Sequence, residues 1–287
     1  MPGLKEVRLR VKAVKGIQQV TKAMKMVATV KLKRIQAQLG NARPYVDTLF
    51  ALAQRLAAAS AGEGEPLHPL LAKPTDEQEL IVVIGSDRGL CGGFNTGLFR
   101  HVLSQVRDAN PAIAVVGRKT KDFFARQRFE VHLSYERLAF PMPWADAEKM
   151  ANEILAHYTF RRHGRVRLAY QRFLRPGVSK PVIADWIPFT PPEAAGAATA
   201  AGELKCEPSI SAVLDLVLPR ALTARLHRAL LESQASEQGA RMMAMDSATT
   251  NASDMIGRLT LQMNRVRQAA ITKELMEIIG GAEALKE

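Results

Sequence analysis

From Arg220 to Ile279 the chain contains no proline and only two glycines, Gly239 and Gly257. Proline breaks a helix interior and glycine weakens it. The run therefore predicts one helix on the order of 100 Å long, at ~1.5 Å per residue. An average globular helix has ~11–12 residues, and a helix far longer than that needs packing along much of its length. The whole segment 209–287 reads as this one element. Its apolar residues Ile256, Leu259, Met263, Val266 and Ala270 are spaced by threes and fours, which gives a single stripe. Ile271, Leu275 and Ile278 continue beside it. Upstream the same spacing passes through Leu222, Leu226, Ala229, Ser233, Ser236, Ala240, Met243, Ser247 and Thr250. That middle seam is small and partly polar, so it permits close approach of another backbone.

The partner lies at the other end of the chain. Residues 4 to about 60 read as a second long helix, within a 1–60 segment. Its stripe runs Val7, Val11, Val14, Ile17, Val20, Met24 and Val27, extended by Leu32, Ile35 and Leu39. Pro44 is expected to kink it, and Gly62 to Pro66 to end it. Two helices at opposite ends of a chain pair most simply as an antiparallel coiled coil that carries the middle of the chain at one end. The charge on the first helix is lopsided. Lys5, Arg8, Arg10, Lys12, Lys15, Lys22, Lys25, Lys31, Lys33, Arg34 and Arg43 stand against Glu6 alone before Asp47. Such a face is either solvated or docked on an acidic surface. The formal net charge of +12 favours an acidic partner.

Between the helices, residues 76–190 alternate apolar runs with helical patterns. Leu80–Ile84 and Ala112–Val116 are short, continuous and rich in branched residues, as buried parallel strands are. Further strands are expected at 130–133, 166–173 and 182–187, and a helix at 144–160. This pattern predicts a Rossmann-like α/β domain with a mostly parallel sheet. The fold class is thus α+β: an α/β domain plus a long antiparallel coiled coil. Residues 191–208, rich in Ala, Gly and Pro, read as a linker or foot loop.

As an independent enzyme the chain looks empty. The loop Gly85-Ser86-Asp87-Arg88-Gly89-Leu90-Cys91-Gly92-Gly93 follows a strand and precedes a helix, the position of a phosphate cradle. It has neither the P-loop lysine nor the G-x-G-x-x-G spacing. Cys91 and Cys206 are the only cysteines, and neither a metal-ligand spacing nor a disulfide framework is available to them. Cys91 is expected to be buried and inert. The six histidines form no pair at metal spacing. Catalytic, metal and cofactor residues are therefore expected to be none. No run of ~18 apolar residues is present, so no span is expected, and the N-terminus shows no signal-peptide pattern. Two other classes remain: a basic coiled-coil protein that binds nucleic acid, and a nucleotide-dependent enzyme built on 76–190. The first lacks a DNA-binding motif, and the first helix has no aromatic residue before Tyr45.

Four blocks carry a resemblance. They are Ile17–Ala28 (IQQVTKAMKMVA), Ser86–Asn95 (SDRGLCGGFN), Ser236–Met245 (SEQGARMMAM) and Arg267–Ala282 (RQAAITKELMEIIGGA). In this order, and spread over the whole chain, they resemble the gamma subunits of F-type ATP synthases. The resemblance implies a central rotor shaft, present once per complex, that performs no bond chemistry. It implies partners in the alpha/beta hexamer, the epsilon subunit and the membrane c-ring, with no nucleic acid. Met24 and Lys25 match the position facing the acidic lever of a beta subunit. Arg265, Arg267 and Gln268 match residues that catch a beta-subunit loop, and Arg241, Thr272 and Glu274 match positions linked to energy coupling. Lys205 and Glu207 match the foot loop beside epsilon and the c-ring. Lys25 stands where several relatives carry an acid. The absence of paired regulatory cysteines and of a transit peptide implies a bacterial chain, peripheral on the cytoplasmic face of the plasma membrane.

Overall fold

The computed structural model describes residues 4–60, 68–72, 78–106, 111–161, 164–189 and 206–284. Most of the expected linker, including Lys205, and the expected helix end at 62–66 lie outside them. The long elements are α1, Leu4–Ser60, and α5, Ile210–Ala284, of 57 and 75 residues. Both continue through a proline, Pro44 in α1 and Pro219 in α5. Between them run β1 (Glu79–Ile84), α2 (Phe94–Gln105), β2 (Ala112–Val116), α3 (Arg118–Arg126), β3 (Val131–Tyr135), α4 (Trp144–Arg161), β4 (Arg165–Arg175) and β5 (Val178–Ile187). The chain divides into two compact units. One is Met1–Ala28 with Met242–Glu287, and the other is Thr29–Arg241. The division falls inside both long helices, so each of them contributes to both units.

The larger unit is built on a sheet in the order β3-β2-β1-β4-β5. β1 lies between β2 and β4 and is parallel to both, with Ile81 opposite Ile113 and Val82 opposite Leu168. Its near-continuous apolar sequence follows from this central place, because both faces of the strand are covered. Ile81, Val83, Ile113 and Val115 pack with Leu98, Phe99, Val102 and Phe124 of α2 and α3 in one core cluster. Phe99 stacks on Phe123 at 4.5 Å and meets Phe124 edge-on at 5.6 Å. On the other side Trp186 of β5 is fully buried, and its Nε1–H donates to the Leu222 carbonyl of α5 at 3.0 Å.

One strand is longer than the sequence suggests. The expected strand at 182–187 treated Pro181 as a boundary, yet β5 begins at Val178 and passes through it, with Pro181 opposite Gln171 in an antiparallel pairing with β4. β5 is the edge of the sheet. An edge strand has one unpaired side, where the missing N–H of proline breaks no ladder bond. Gly177 turns the hairpin at φ 78°, a conformation that glycine adopts without steric cost.

The α5 seam also differs from expectation, and so does that of α1. Ser233 and Ser236 do not face a second helix. Their hydroxyls donate to the carbonyls of Ile84 (2.9 Å) and Gln171 (3.0 Å), which seats α5 on the ends of β1 and β4. In the other unit the covered positions of α5 include a heptad series, Met245, Thr249, Ala252, Ile256, Leu259, Met263, Val266 and Ala270, flanked by half-buried Met242, Ala244, Asp246, Ala248, Thr260 and Asn264. The series steps by four and three without a break. Met243, Ser247 and Thr250, which the sequence reading put on the seam, are exposed. In α1 the inward positions include an unbroken heptad series, Val7, Val11, Val14, Gln18, Thr21, Lys25 and Ala28, with Leu4 and Met24 half-buried beside it, Met24 as expected. Ile17, Val20 and Val27 are exposed by 56%, 58% and 56%, contrary to expectation. The physical reason is phase. A strict 3.5-residue repeat places polar Gln18, Thr21 and Lys25 inside, whereas following the apolar residues alone drifts off the seam.

The packing of α5 on the sheet generates a prediction. A Cβ on Gly239 would come within 3.0 Å of the Gly177 backbone nitrogen, whereas one on Gly257 would meet nothing within 4 Å. Gly239→Val should destabilise the chain by ~1–3 kcal/mol through overpacking. Gly257→Ala should stabilise it by up to ~1 kcal/mol. Urea unfolding of the purified variants checks both signs.

Candidate partner-contact site

The glycine loop is organised by its own side chains. Asn95 on the first turn of α2 donates from Nδ2 to Ser86 Oγ at 2.7 Å and accepts from the Ser86 N–H at 3.2 Å. Ser86 Oγ donates to the Arg88 carbonyl at 2.8 Å. Asp87 Oδ1 accepts from the backbone N–H groups of Arg118 (2.9 Å) and Arg137 (3.2 Å). The loop tip is Leu90, 64% exposed and held at φ 63°. Cys91 is buried, as expected from the sequence. Burial first, and then the nearby Glu237 carboxylate, push its thiol pKa up. Its polar contacts are Ser86 Oγ at 3.9 Å, Asn95 Nδ2 at 3.6 Å and the Arg88 carbonyl at 3.8 Å, none of them a base. A thiol in this setting stays protonated and unreactive.

In α/β sheets ligands settle outside the carboxyl ends of the strands, where the crossovers change direction. Here that point lies between β1 and β4. Ser233 and Ser236 of α5 bind there, to the carbonyls of Ile84 in β1 and Gln171 in β4, and Gln171 donates to the Phe94 carbonyl at 3.0 Å. Among the described residues no group of three or more His, Cys, Asp or Glu side chains is placed to hold a metal.

The residues expected to contact partners fall into three groups. Arg241 is turned inward and is 8% exposed. Its Nη2 pairs with Glu237 Oε1 at 2.6 Å and reaches the carbonyls of Arg88 (3.5 Å) and Gly89 (3.3 Å). It braces the loop from behind, so the surface at this place is the loop rather than the guanidinium. Met24 and Lys25 are half-buried, and Lys25 Nζ meets Asp246 Oδ1 at 2.6 Å across the helix pair. Arg265, Arg267, Gln268, Thr272 and Glu274 are all exposed, as is Glu207 before α5. The fold does not gather all of these into one site. Lys205 lies outside the described residues.

Two features that the sequence showed in outline are placed more exactly by the structure. The first is the outward side of α1. Counting around the helix from its heptad seam, Lys5, Arg8, Lys12, Lys15 and Lys22 share one flank. Exposed Ile17, Val20 and Val27 share the other with Arg10, and Leu9 lies opposite the seam. The second is the end of α5, where Ile271, Leu275, Met276, Ile278 and Ile279 are each more than half exposed. The signal for both was present in the heptad phase, which assigns these apolar residues to positions off the seam.

The class this geometry defines is an α/β protein with long terminal helices: an α/β unit on whose sheet α5 is seated, and a second unit made of paired helix segments. The model of the family described as ATP synthase matches residues 3–285, and the chain belongs to that family. The ATP synthase gamma chain of Pelotomaculum thermopropionicum is 43% identical over 288 residues, covering all of both chains. That of Anaeromyxobacter sp. (strain Fw109-5) is 44% identical over 292 residues, again with full coverage of both. A chain in the Euglena gracilis mitochondrial ATP synthase OSCP/F1/c-ring structure superposes with a TM-score of 0.70 at 20% identity, over 98% of this chain and 94% of that one. A chain in the Tetrahymena thermophila central stalk/c-ring structure does so at 0.63 and 23%, over 80% and 99%. At these identities the two structures establish the shared fold.

The Arg241–Glu237 pair is open to test. Removing one member of a buried pair leaves the other uncompensated and costs ~3–5 kcal/mol. Arg241→Ala should cost that much at neutral pH. Burial already raises the pKa of Glu237, against the lowering effect of Arg241. Without Arg241 it rises further. A carboxyl whose folded pKa is raised stabilises the fold below its unfolded pKa and loses that contribution as pH rises through the folded value. The defect of Arg241→Ala should therefore shrink on lowering the pH from about 7.5 to about 5, and Glu237→Gln in the same chain should remove the pH dependence. Urea unfolding at the two pH values measures it.

Proposed function

We propose that this chain is the gamma subunit, the central-stalk rotor, of an F-type ATP synthase. The observation that carries the reading is the full-length identity of about 43% to chains named as ATP synthase gamma chains. The rotor couples rotation of a membrane c-ring to conformational change in the catalytic beta subunits of an alpha/beta hexamer, and it meets the epsilon subunit at its foot. One copy serves each complex. The chain itself performs no bond chemistry. The α5 serines bound at the ends of β1 and β4, and the protonated Cys91, support this part of the reading.

The contact assignments belong to the same proposal. Arg265, Arg267 and Gln268, exposed on α5, receive a beta-subunit loop through charge-assisted hydrogen bonds, in which arginine can act bidentately. Thr272 and Glu274 lie on the same exposed stretch. The basic flank of α1 attracts the acidic lever of a beta subunit, an interaction that weakens with salt. Met24, one heptad after Ile17, lies across the seam from this flank, and Lys25 contributes less free charge to it than its sequence position implied, because Asp246 already holds its ammonium group. Arg241 acts through the 85–93 loop. Lys205 and Glu207 face epsilon and the c-ring. No helix among the described residues is long and apolar enough to cross a membrane. The chain is held peripherally through its partners, at the cytoplasmic face of a bacterial plasma membrane. The nucleic-acid reading finds no support in these relatives.

Co-expression with alpha and beta subunits should give a co-eluting assembly whose ATPase activity depends on this chain. Alpha and beta subunits that assemble and hydrolyse ATP equally well without it, while it elutes alone, would refute the proposal. Within the assembly, Arg267→Ala with Gln268→Ala should lower turnover roughly three- to tenfold through the loss of charge-assisted bonds. Assembly and folding should be intact, as size exclusion and circular dichroism report.

A further inference from the structure

Two polar contacts cross the helix pair of the unit formed by residues 4–28 and 242–284. Lys25 Nζ meets Asp246 Oδ1 at 2.6 Å, and Thr249 Oγ1 donates to Thr21 Oγ1 at 2.8 Å. All four residues lie on or beside the heptad seams. As the residue number falls from 25 to 21 on α1, it rises from 246 to 249 on α5, so the helices are antiparallel. The other inward residues of this unit are mostly interchangeable apolar side chains: Val7, Val11 and Val14 on α1, and Ala252, Ile256, Leu259, Met263 and Val266 on α5.

Apolar layers of similar size define a register poorly, because a shift by a whole heptad again places apolar on apolar. The polar layers do not tolerate that shift. Moving α1 by seven residues in either direction would set Lys25 level with Gly239 or Ser253, and Asp246 level with Gln18 or Leu32. Thr21 would be level with Met242 or Ile256, and Thr249 with Val14 or Ala28. Each alternative takes the ammonium from the level of Asp246 and sets both threonine hydroxyls against apolar side chains. The two layers also lie near the ends of the unit's two segments, Ala28 and Met242.

We infer that Lys25–Asp246, together with Thr21–Thr249, is the register lock of the helix pair, and that Lys25 is thereby a positioning residue for the face of α1 that meets the beta subunit. The second part rests on the function proposed above. A slip of one heptad moves α1 along α5 by about 10 Å. It would carry Met24 and the basic flank away from the level at which a partner's lever meets them. In this chain the lysine is matched by Asp246.

The test has two arms. In the purified chain with Cys206→Ser, the pair Thr21→Cys and Thr249→Cys should form a disulfide under mild oxidation. Its yield should fall at least threefold when Lys25→Glu or Asp246→Lys is added singly, return within twofold when both are combined, and hold within twofold for Lys25→Arg. Single reversals that cross-link like the parent, or a double reversal no better than the singles, would overturn the lock. In membranes carrying the assembled complex, ions transported per ATP hydrolysed should fall and recover in the same order. If the disulfide yields follow the order but the parent chain does not assemble with alpha and beta subunits, the lock stands and the proposed function fails. If assembly is normal and transport per ATP is unchanged in every variant, the positioning role is overturned.

Discussion

The burial of α5 is the constraint on which the rest of this molecule depends. A helix of 75 residues has far more surface than its own hydrogen bonds can stabilise, so other elements must cover it. They do so in three different ways along its length. Between Ala221 and Arg241 nearly every residue is buried or half-buried, as in a helix enclosed within a core. From Met242 to Ala270 one side of the helix is covered, a heptad stripe with some half-buried neighbours. From Ile271 to Ile279 no residue is covered. Local stability follows covered apolar area, so resistance to local opening should decline in that order. Ile271, Leu275, Met276, Ile278 and Ile279 are each more than half exposed among the described residues, an apolar surface of the kind that marks a contact with another chain.

The enclosure of 221–241 also decides what the α/β unit can do. A doubly wound sheet offers a ligand crevice at its switch point, and this chain spends that crevice on holding α5. Two serine hydroxyls satisfy the carbonyls of Ile84 and Gln171. A glycine lets the helix backbone approach the β4–β5 turn, where any side chain would press on Gly177. The loop after β1, placed where a phosphate loop would be, binds a helix residue instead. Its Arg88 and Gly89 carbonyls take the Arg241 guanidinium, a cation, and the loop therefore presents acceptors inward rather than a nest of N–H donors for an anion. The same sequence pattern that suggests nucleotide chemistry is, in three dimensions, a bracket.

Much of this was legible in the sequence. The absence of proline and the scarcity of glycine defined the long C-terminal helix, and the apolar runs located all five strands to within a few residues. What was not legible had common physical causes. Ile17, Val20 and Val27 looked like seam residues because they are apolar, but the repeat that governs a helix pair is geometric and admits Gln18, Thr21 and Lys25. Pro181 looked like a strand boundary because edge position cannot be read from one strand alone. Asp246 could not be recognised as the companion of Lys25, since the two are 221 positions apart and only the register brings them together. Arg241 carried a charge that suggested an outward contact, whereas Glu237 one turn earlier keeps it inside.

A subunit that turns inside a ring must resist torsion along its own axis and yet adhere weakly to the ring. Large apolar interfaces resist sliding, because moving them exposes area to water. Exposed charges in high dielectric exchange partners at little cost. The division of labour around α1 matches these two demands. Its seam carries the fixed contacts, apolar layers interrupted by polar ones that tolerate a single register. Its basic flank carries charges whose attraction is long-ranged, non-directional and screened by salt. The flank of Ile17, Val20 and Val27, each more than half exposed, falls between these roles: it adds little to holding the pair together and leaves apolar surface facing outward over several turns.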